Sequence, residues 1–235
     1  MKIAQISAFY GKKQALNHVT FELKPKKFTA LIGKNGCGKS TLLKCIAGQI
    51  PHTGEIPLPR EPRERAKAVA LLPQSLPALP MEAEALVAMG RTPYLNLAGT
   101  LTPTDREKIE EAIRLAGIQE LRHRNAATLS GGELQKVYLA MVLAQDARIL
   151  LLDEPTAHMD MGYAADFLRL LKTLNREQGK TVLAVLHDLN AAAAFADELL
   201  LMEQGRLTDP ARVEEVFGVR KIFYSENGET KYFYQ

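Results

Sequence analysis

The sequence lacks the features that mark several classes of protein. It has 2 Cys and no Trp, and the two cysteines, Cys37 and Cys45, belong to no CxxC motif or Cys/His cluster. They therefore predict neither a zinc site nor a disulfide framework. No apolar stretch approaches the roughly 20 residues that a membrane-spanning helix needs. The first residues also lack the apolar core of a secretion signal.

Charge of one sign is equally scarce. The 30 Lys and Arg residues and the 27 Asp and Glu residues give a net charge of +3, and the two signs are interspersed along the chain. No basic block therefore predicts a nucleic-acid-binding arm. The stretch from Arg60 to Lys67 mixes both signs and predicts a solvated face. We expect a cytoplasmic, reduced protein without a nucleic-acid partner.

What the sequence does contain is an ordinary globular composition with an α/β pattern. With 46% hydrophobic residues it is too apolar for a disordered chain, and 235 residues suit one large domain or a core with an insertion. Short apolar runs bounded by turn residues predict buried strands of a mostly parallel sheet, and helical periodicity fills the segments between them. The runs cover 28–32, 68–72, 148–152 and 181–186, and the main helices are predicted at 39–47, 133–145 and 162–178.

The middle third departs from this alternation. Between Gln74 and Thr128 there is no comparable strand run. Pro80 is predicted to open a helix that reaches about Met89, and a second helix follows the N-cap residue Thr102. We therefore predict a helical insert at residues 76–130 within a single domain that spans 1–235.

The last segment predicts a β-hairpin at residues 220–235. Two aromatic runs flank the turn sequence Glu226-Asn227-Gly228-Glu229. Two interpretations stay open for its aromatic residues. They form a small satellite core against the main domain, which we favour, or they make a dimer or regulatory contact.

A glycine-rich motif follows the first predicted buried strand and opens a helix. It matches GxxxxGK[ST], in which backbone N–H groups and the helix N-terminus bind phosphates. Lys39 is expected to reach the β- and γ-phosphates, and the Ser40 hydroxyl to bind Mg²⁺. A glycine-rich turn that binds nothing is the alternative. The predicted nucleotide-binding residues here are Gly33, Lys34, Asn35, Gly36, Cys37, Gly38, Lys39, Ser40 and Thr41.

Two adjacent carboxylates end a later apolar run. Asp153 suits the Mg²⁺ shell, because P-loop enzymes place an aspartate at such a strand end. Glu154 is in position to orient and deprotonate an attacking water. An acidic strand end alone is more often a solvated loop, so this prediction depends on the phosphate loop.

The segment from Leu129 to Gln135 identifies the kind of P-loop protein. Its residues Ser130, Gly131, Gly132 and Glu133 resemble the signature motif of the ATP-binding-cassette (ABC) ATPases, with Glu133 where the family most often has Gln. Ser130 and Glu133 also form a capping-box pattern, so a purely structural role is the alternative. In the family this helix start contacts the ATP that is held by the partner subunit.

The resemblance extends over nearly the whole chain. Gln74 matches the glutamine that touches Mg²⁺ and water, and Asp160 matches the D-loop, although the pair His158-Met159 departs from the usual residues. His187 matches the switch histidine that contacts the γ-phosphate. Tyr10 matches the aromatic residue that stacks on adenine.

The resemblance implies a fold, a reaction and partners. The fold is an α/β P-loop NTPase (RecA-like) core with a parallel-rich sheet, an N-terminal antiparallel β part and the helical insert. The activity is hydrolysis of ATP with Mg²⁺, in a head-to-tail homodimer around two ATP molecules. The partners are transmembrane permease subunits, indirectly a substrate-binding protein, and the location is the cytoplasmic face of the membrane.

The segment from Val87 to Tyr94 narrows the transport role. It resembles the V-x-x-G-R-x-P segment of the subfamily that serves importers of ferric siderophores, haem and cobalamin. It lies in the predicted insert, on the side expected to dock onto a permease. An exporter, another nutrient system, and a non-transport ABC protein that acts on nucleic acid or the ribosome remain as alternatives.

Overall fold

A computed structural model describes residues 1–96, 98–157, 159–226 and 229–235. The strands are β1 (Lys2–Tyr10), β2 (Lys13–Glu22), β3 (Phe28–Ile32), β4 (Thr53–Glu55), β5 (Val69–Leu72), β6 (Ile149–Asp153), β7 (Thr181–Val185), β8 (Glu198–Glu203), β9 (Arg206–Thr208), β10 (Lys221–Glu226) and β11 (Glu229–Tyr234). The α-helices are α1 (Lys39–Ala47), α2 (Pro62–Ala68), α3 (Ala83–Ala88), α4 (Pro103–Ala116), α5 (Gly131–Ala144), α6 (Met161–Glu177), α7 (Leu189–Phe195) and α8 (Val213–Phe217). Short 3₁₀ helices cover Met89–Tyr94, Gln119–Leu121, Ala126–Thr128 and Pro210–Arg212. No helix in these described ranges is long and apolar enough to cross a bilayer.

The described residues form two compact units. The first contains Met1–Pro57 and Lys172–Gln235, and the second contains Leu58–Leu171. The segment 76–130, predicted as an insert, lies inside the second unit.

The first unit is built on two kinds of sheet. Strands β2, β1 and β4 pair in that order, and both pairings are antiparallel. Strand β3 pairs in parallel with β7 on one side and with β8 on the other, and β9 runs antiparallel to β8. Every residue of β3 and β7 is buried, so these strands show no alternation between buried and exposed residues, and only Thr29 and Thr181 interrupt their apolar character.

The second unit pairs β5 with β6 in parallel, and its helices α3, α4 and α5 pack on one another. The helix ends follow the local chemistry. Thr102 and Asp105 form a capping box at the start of α4, and Gly117 ends that helix in the left-handed conformation.

Two local predictions are corrected in the second unit. The helix predicted from Pro80 begins at Ala83, because the preceding residues pair across the chain: Glu82 forms a β-bridge with Asn125, and Ala83 N–H donates to the Arg124 carbonyl. The stretch 60–67 is not wholly solvated. Arg65 is buried, and its Nε donates to the Pro59 carbonyl at 2.8 Å.

The C-terminal strands β10 and β11 pair antiparallel, while the predicted turn residues Asn227 and Gly228 lie outside the described residues. The aromatic side chains do not form the satellite core that we favoured. Phe223 is 62% exposed, and Tyr224 and Phe233 are also exposed. Their rings instead form tilted pairs across the two strands, with ring centres 6.1 Å apart for Phe223 and Tyr232 and 6.0 Å apart for Tyr224 and Phe233.

Candidate nucleotide-binding site

The phosphate loop connects β3 to α1. It needs glycine at Gly38, where φ is 111° and an added Cβ would lie 2.8 Å from the Ala15 carbonyl oxygen. Lys39 is buried, and its ammonium group donates to the carbonyls of Gly33 at 2.7 Å and Lys34 at 3.1 Å. The cation therefore lies against the loop itself, and its described partners are two carbonyl oxygens and the Cys37 sulfur, all of them neutral.

The N-terminus of α1 differs from those of α4 and α5. Its N-cap residue is Gly38, which has no side chain to accept from the first-turn N–H groups, and the first turn contains no acid. In α4 and α5, Thr102 and Ser130 cap the helix with their hydroxyl groups. First-turn N–H groups have no acceptor within their own helix, so a phosphate suits this end of α1.

The two cysteines are buried, and neither has the character of a reactive thiol. Burial raises the pKa of Cys37, although Lys39 opposes the shift, and burial raises that of Cys45 to about 11. Both thiols stay protonated at neutral pH, as expected for small residues in a packed loop and helix.

The predicted metal and water site lies at the end of β6. Asp153 is buried as the last residue of the strand, and Glu154 follows with φ of 52°. Such a left-handed conformation is strained for a non-glycine residue and is common at active sites. The Gln74 side-chain amide donates to Oε2 of Glu154 at 2.5 Å. The structure thus brings together Gln74 and Glu154, which are 80 residues apart in the chain.

The segment that resembles the ABC signature opens α5. The Ser130 N–H donates to Oε2 of Glu133 at 2.8 Å, and the Glu133 N–H donates back to the Ser130 hydroxyl at 3.3 Å, so the predicted capping box forms. An added Cβ at Gly131 would meet no described atom within 4 Å. This glycine therefore leaves an open surface at the helix start, which a ligand could approach.

Sequence reasoning missed one charged neighbour of this segment. Arg124 donates to Oε1 of Glu133 at 2.9 Å. The Ser130 backbone and hydroxyl hydrogen bonds lower the pKa of Glu133, and Arg124 adds to the shift. The carboxylate that replaces the usual glutamine is therefore ionised and paired. No local pattern joins Arg124 to Glu133, and only the fold shows the contact.

Three further predicted residues occupy element ends. The Asp160 side chain accepts from the Tyr163 N–H at 3.0 Å and so caps α6, while the neighbouring His158 lies outside the described residues. His187 is exposed two residues beyond β7, beside the parallel strand β3 that leads into the phosphate loop. Tyr10 ends β1 and is 50% exposed, as a stacking platform requires.

The segment that resembles the importer subfamily has a structural role. An added Cβ at Gly90 would lie 2.1 Å from the Met141 carbonyl oxygen, so glycine is required where this segment crosses α5. Arg91 is 4% exposed and donates to Asp105, itself 2% exposed, and to the Ala144 carbonyl, both at 2.8 Å. Its guanidinium also lies 3.8 Å from the centre of the Tyr94 ring. The charge of Arg91 is therefore neutralised by Asp105 inside the second unit.

Comparison with known proteins identifies the family. The ABC transporter family model matches residues 16–157, which is more than half of the chain.

The chain belongs to the ABC transporter family.

Its relatives include ATP-binding proteins of iron uptake. The ferric enterobactin transport ATP-binding protein FepC of Escherichia coli is 38% identical over 90% of this chain and 81% of its own length. The iron(3+)-hydroxamate import ATP-binding protein FhuC of Bacillus subtilis is 37% identical over 90% of this chain and 82% of its own length. The hemin import ATP-binding protein HmuV of Vibrio parahaemolyticus is 35% identical over 92% of this chain and 90% of its own length.

Solved structures agree on the fold. An ATP-binding cassette in a dimeric post-hydrolysis state, bound to ADP and Pi, is 27% identical, with a TM-score of 0.77 over 88% of this chain and 96% of that one. A transporter described as metal-chelate type matches 100% of this chain and 96% of that one with a TM-score of 0.85; at 22% identity it supports the fold alone. The predicted α/β P-loop NTPase fold is confirmed, and the chain is an ATP-binding cassette with ATPase activity.

Proposed function

We propose that the chain is the ATP-hydrolysing subunit of an importer for an iron(III)-siderophore, haem or cobalamin. The observation that carries the hydrolytic part is the 2.5 Å contact between Gln74 and Glu154. It joins a polar side chain that follows β5 to the carboxylate that follows β6. The import role is supported by relatives whose names refer to ferric enterobactin, iron(3+)-hydroxamate and hemin.

The phosphate loop is proposed to hold the triphosphate. Lys39 exchanges its neutral carbonyl partners for charged phosphate oxygens, which make stronger hydrogen bonds. The uncapped start of α1 supplies N–H donors and the positive end of a helix dipole. The residues proposed to bind the nucleotide here are Gly33, Lys34, Asn35, Gly36, Cys37, Gly38, Lys39, Ser40 and Thr41. Tyr10 is proposed to stack on the adenine ring.

The residues proposed for Mg²⁺ fit that ion chemically. Ser40, Gln74 and Asp153 offer hydroxyl, amide and carboxylate oxygens, the ligand types that Mg²⁺ prefers. Such a site uses few protein ligands, because water and phosphate oxygens complete the shell. When bound, the ion neutralises charge that develops on the phosphates.

Glu154 is proposed as the general base. Its carboxylate accepts a proton from the water that attacks the γ-phosphorus, while the bond to the ADP leaving oxygen breaks. The Gln74 amide, which already donates to this carboxylate, fixes its direction. His187 is proposed to donate a hydrogen bond to the γ-phosphate as negative charge redistributes in the transition state.

A second copy of the chain is proposed to complete each site. By the family pattern, Ser130, Gly131, Gly132 and Glu133 of one copy approach the ATP that the other copy holds, and Asp160 lies at the same interface. The open surface at Gly131 and the dimeric structure of the similar cassette support this arrangement. Hydrolysis then releases the two copies from each other.

The proposed partner is a membrane permease, which places the chain peripherally on the cytoplasmic face of the membrane. The names of its relatives refer to transport and import, and a substrate-binding protein is expected to deliver the cargo to the permease. The cargo does not touch this subunit, so its identity depends on the permease.

Reconstitution tests this function. The chain is combined with the permease and binding protein encoded beside it, in vesicles that contain ATP, and uptake of a ferric siderophore, haem and cobalamin is measured. We expect ATP-dependent uptake of one of the three, and a Glu154→Gln complex that takes up none. Export, or uptake of an unrelated nutrient, would contradict the importer proposal. ATPase activity that responds to DNA or ribosomes instead would favour a non-transport role.

A further inference from the structure

The C-terminal hairpin is attached to the helix that follows His187. Asn190, in the first turn of α7, donates from its side-chain amide to the Tyr234 carbonyl at 3.2 Å, and its side-chain oxygen accepts from the Tyr234 N–H at 2.7 Å. A side-chain amide carries the same donor and acceptor as a peptide group. The two bonds therefore have the pattern of one hydrogen-bonded residue pair in an antiparallel sheet, and they attach strand β11 to α7.

His187 lies between two fixed points of the backbone. On one side, the Leu186 N–H donates to the Leu31 carbonyl at 3.2 Å and extends the pairing of β7 with β3. On the other side, the Asp188 side chain accepts from the N–H groups of Asn190 at 2.8 Å and Ala191 at 3.2 Å, which caps α7. The direction of the exposed His187 side chain thus depends on where the first turn of α7 is held.

The open end of the hairpin is held by polar contacts. The backbone groups of Arg220 and Gln235 exchange two hydrogen bonds of 2.8 and 2.9 Å. The Lys221 N–H donates to Glu214 of α8 at 2.7 Å, and the Lys221 ammonium lies 3.7 Å from the centre of the Tyr232 ring. Strand β11 also packs against α7. The Asn190 bonds therefore connect α7 to a segment that is itself anchored.

We propose that the hairpin positions His187 through Asn190. Asn190 is a positioning residue, since it acts on the nucleotide only through the histidine three residues before it. The inference rests on the proposed role of His187 in hydrolysis. Loss of the bonds to Tyr234 frees the first turn of α7 and misaligns His187 in the transition state. Binding of ATP by the phosphate loop is unaffected, because neither α7 nor the hairpin is part of that loop.

A double-mutant cycle in the full-length chain tests the proposal. Asn190→Ala removes both bonds from the helix side, and Tyr234→Pro removes the N–H donor from the hairpin side. We expect each to lower kcat for ATP by about tenfold, a moderate loss for a misplaced catalytic group, with KM changed less than about twofold. The double variant should lose no more than Asn190→Ala. Phe233→Ala is the control, because its backbone is intact and its exposed ring lies next to the contact.

Unchanged kcat in Asn190→Ala, or additive losses in the double variant, would overturn the inference. A rise in KM by the same factor as the fall in kcat would also overturn it, since a merely structural role predicts loss of binding together with loss of turnover. The proposed function fails separately. An inactive wild-type chain, or a His187→Ala variant with full activity, overturns the function and the inference together, whereas an active wild type with a fully active Asn190→Ala variant overturns the inference alone.

Discussion

Two segments of this protein combine glycine with a basic residue, and they use the pair in opposite ways. In the phosphate loop, Gly38 adopts a conformation that other residues avoid, and the Lys39 ammonium contacts neutral carbonyls of its own loop. In the 3₁₀ segment Met89–Tyr94, Gly90 lets two backbones approach, and the Arg91 guanidinium is buried against the Asp105 carboxylate.

The contacts of the basic residue in each segment decide what that segment indicates about function. A basic side chain that contacts neutral groups can exchange them for an anionic ligand, whereas one that is buried against a carboxylate is already neutralised and enclosed. The contacts described for Lys39 are of the first kind, and those of Arg91 are of the second. The Val87–Tyr94 segment therefore serves packing inside the second unit, and the charge of Arg91 is not presented to a docking partner.

We expect the largest effect from a substitution that breaks the buried ion pair of Arg91 with Asp105. Arg91→Ala leaves the Asp105 carboxylate buried without its cation, which should lower the free energy of unfolding by about 3–5 kcal/mol. Urea unfolding followed by circular dichroism measures the change. Arg106→Ala, at an exposed position of α4 next to Asp105, is the control and should change stability by about 0.5 kcal/mol or less. A small effect of Arg91→Ala would contradict the structural role.

The matching change in the phosphate loop should affect catalysis and leave the fold intact. Lys39→Ala removes a cation that stabilises charge in the transition state, so kcat/KM for ATP should fall by about 10²–10³-fold. Lys44→Ala, in the last turn of α1, is the control and should retain activity. Phosphate release and the unfolding midpoint are measured on the same samples. A Lys39→Ala protein with a much lower unfolding midpoint but an unchanged kcat/KM would contradict this account, because Lys39 would then serve the fold and not catalysis.

The ionisation of Asp105 gives a pH-dependent test. The Thr102 hydroxyl hydrogen bond lowers the pKa of Asp105, and the Thr102 backbone and Arg91 add to the effect. A depressed carboxyl pKa contributes stability that is present above the unfolded value of about 4 and is lost as pH falls through the folded value. Asp105→Asn should therefore be less stable than wild type at pH 7, with a difference that shrinks as the pH falls below about 4.

Equal pH slopes for the two proteins would contradict this account of Asp105. The free energy of unfolding is measured in urea at several pH values between 3 and 7, in about one-unit steps. Thr102→Val, which removes the hydroxyl group alone, should show an intermediate slope.

The smallest expected effect concerns the signature segment. Arg124→Gln leaves the Glu133 carboxylate without its ion-pair partner at a surface proposed to meet ATP. Because the pair is partly exposed, KM for ATP should rise only about two- to fivefold. In a Glu133→Gln background the same substitution should have no further effect, since no negative charge remains to be neutralised. Equal losses in both backgrounds would show that Arg124 acts independently of Glu133.

Sequence reasoning succeeded where the cause is local. The buried strands, the N-cap of α4 at Thr102 and the capping box of Ser130 with Glu133 each depend on a few consecutive residues. The phosphate loop could be predicted for the same reason. Its fixed spacing encodes one backbone conformation.

Contacts between residues that are far apart in the sequence could not be predicted. Nothing in the sequence joins Arg91 to Asp105, Arg124 to Glu133 or Asn190 to Tyr234, because each pair depends on how separate elements pack. The start of α3 was misplaced for a similar reason, since bonds to the segment near Arg124 compete with helix formation before Ala83. The aromatic residues at the C-terminus look like core residues in composition, yet Phe223 is exposed.

In the proposed function, this chain hydrolyses ATP as a dimer, with Glu154 as the base. The most direct measurement compares wild type and Glu154→Gln in one experiment. Phosphate release reports the hydrolysis rate, and light scattering in the presence of Mg²⁺-ATP reports the molar mass and hence the dimer. We predict that the variant binds ATP, forms a stable dimer with it, and hydrolyses it at least about 100-fold more slowly than wild type. Unchanged hydrolysis by Glu154→Gln, or a variant that stays monomeric with saturating ATP, would contradict this role of Glu154 and of the dimer.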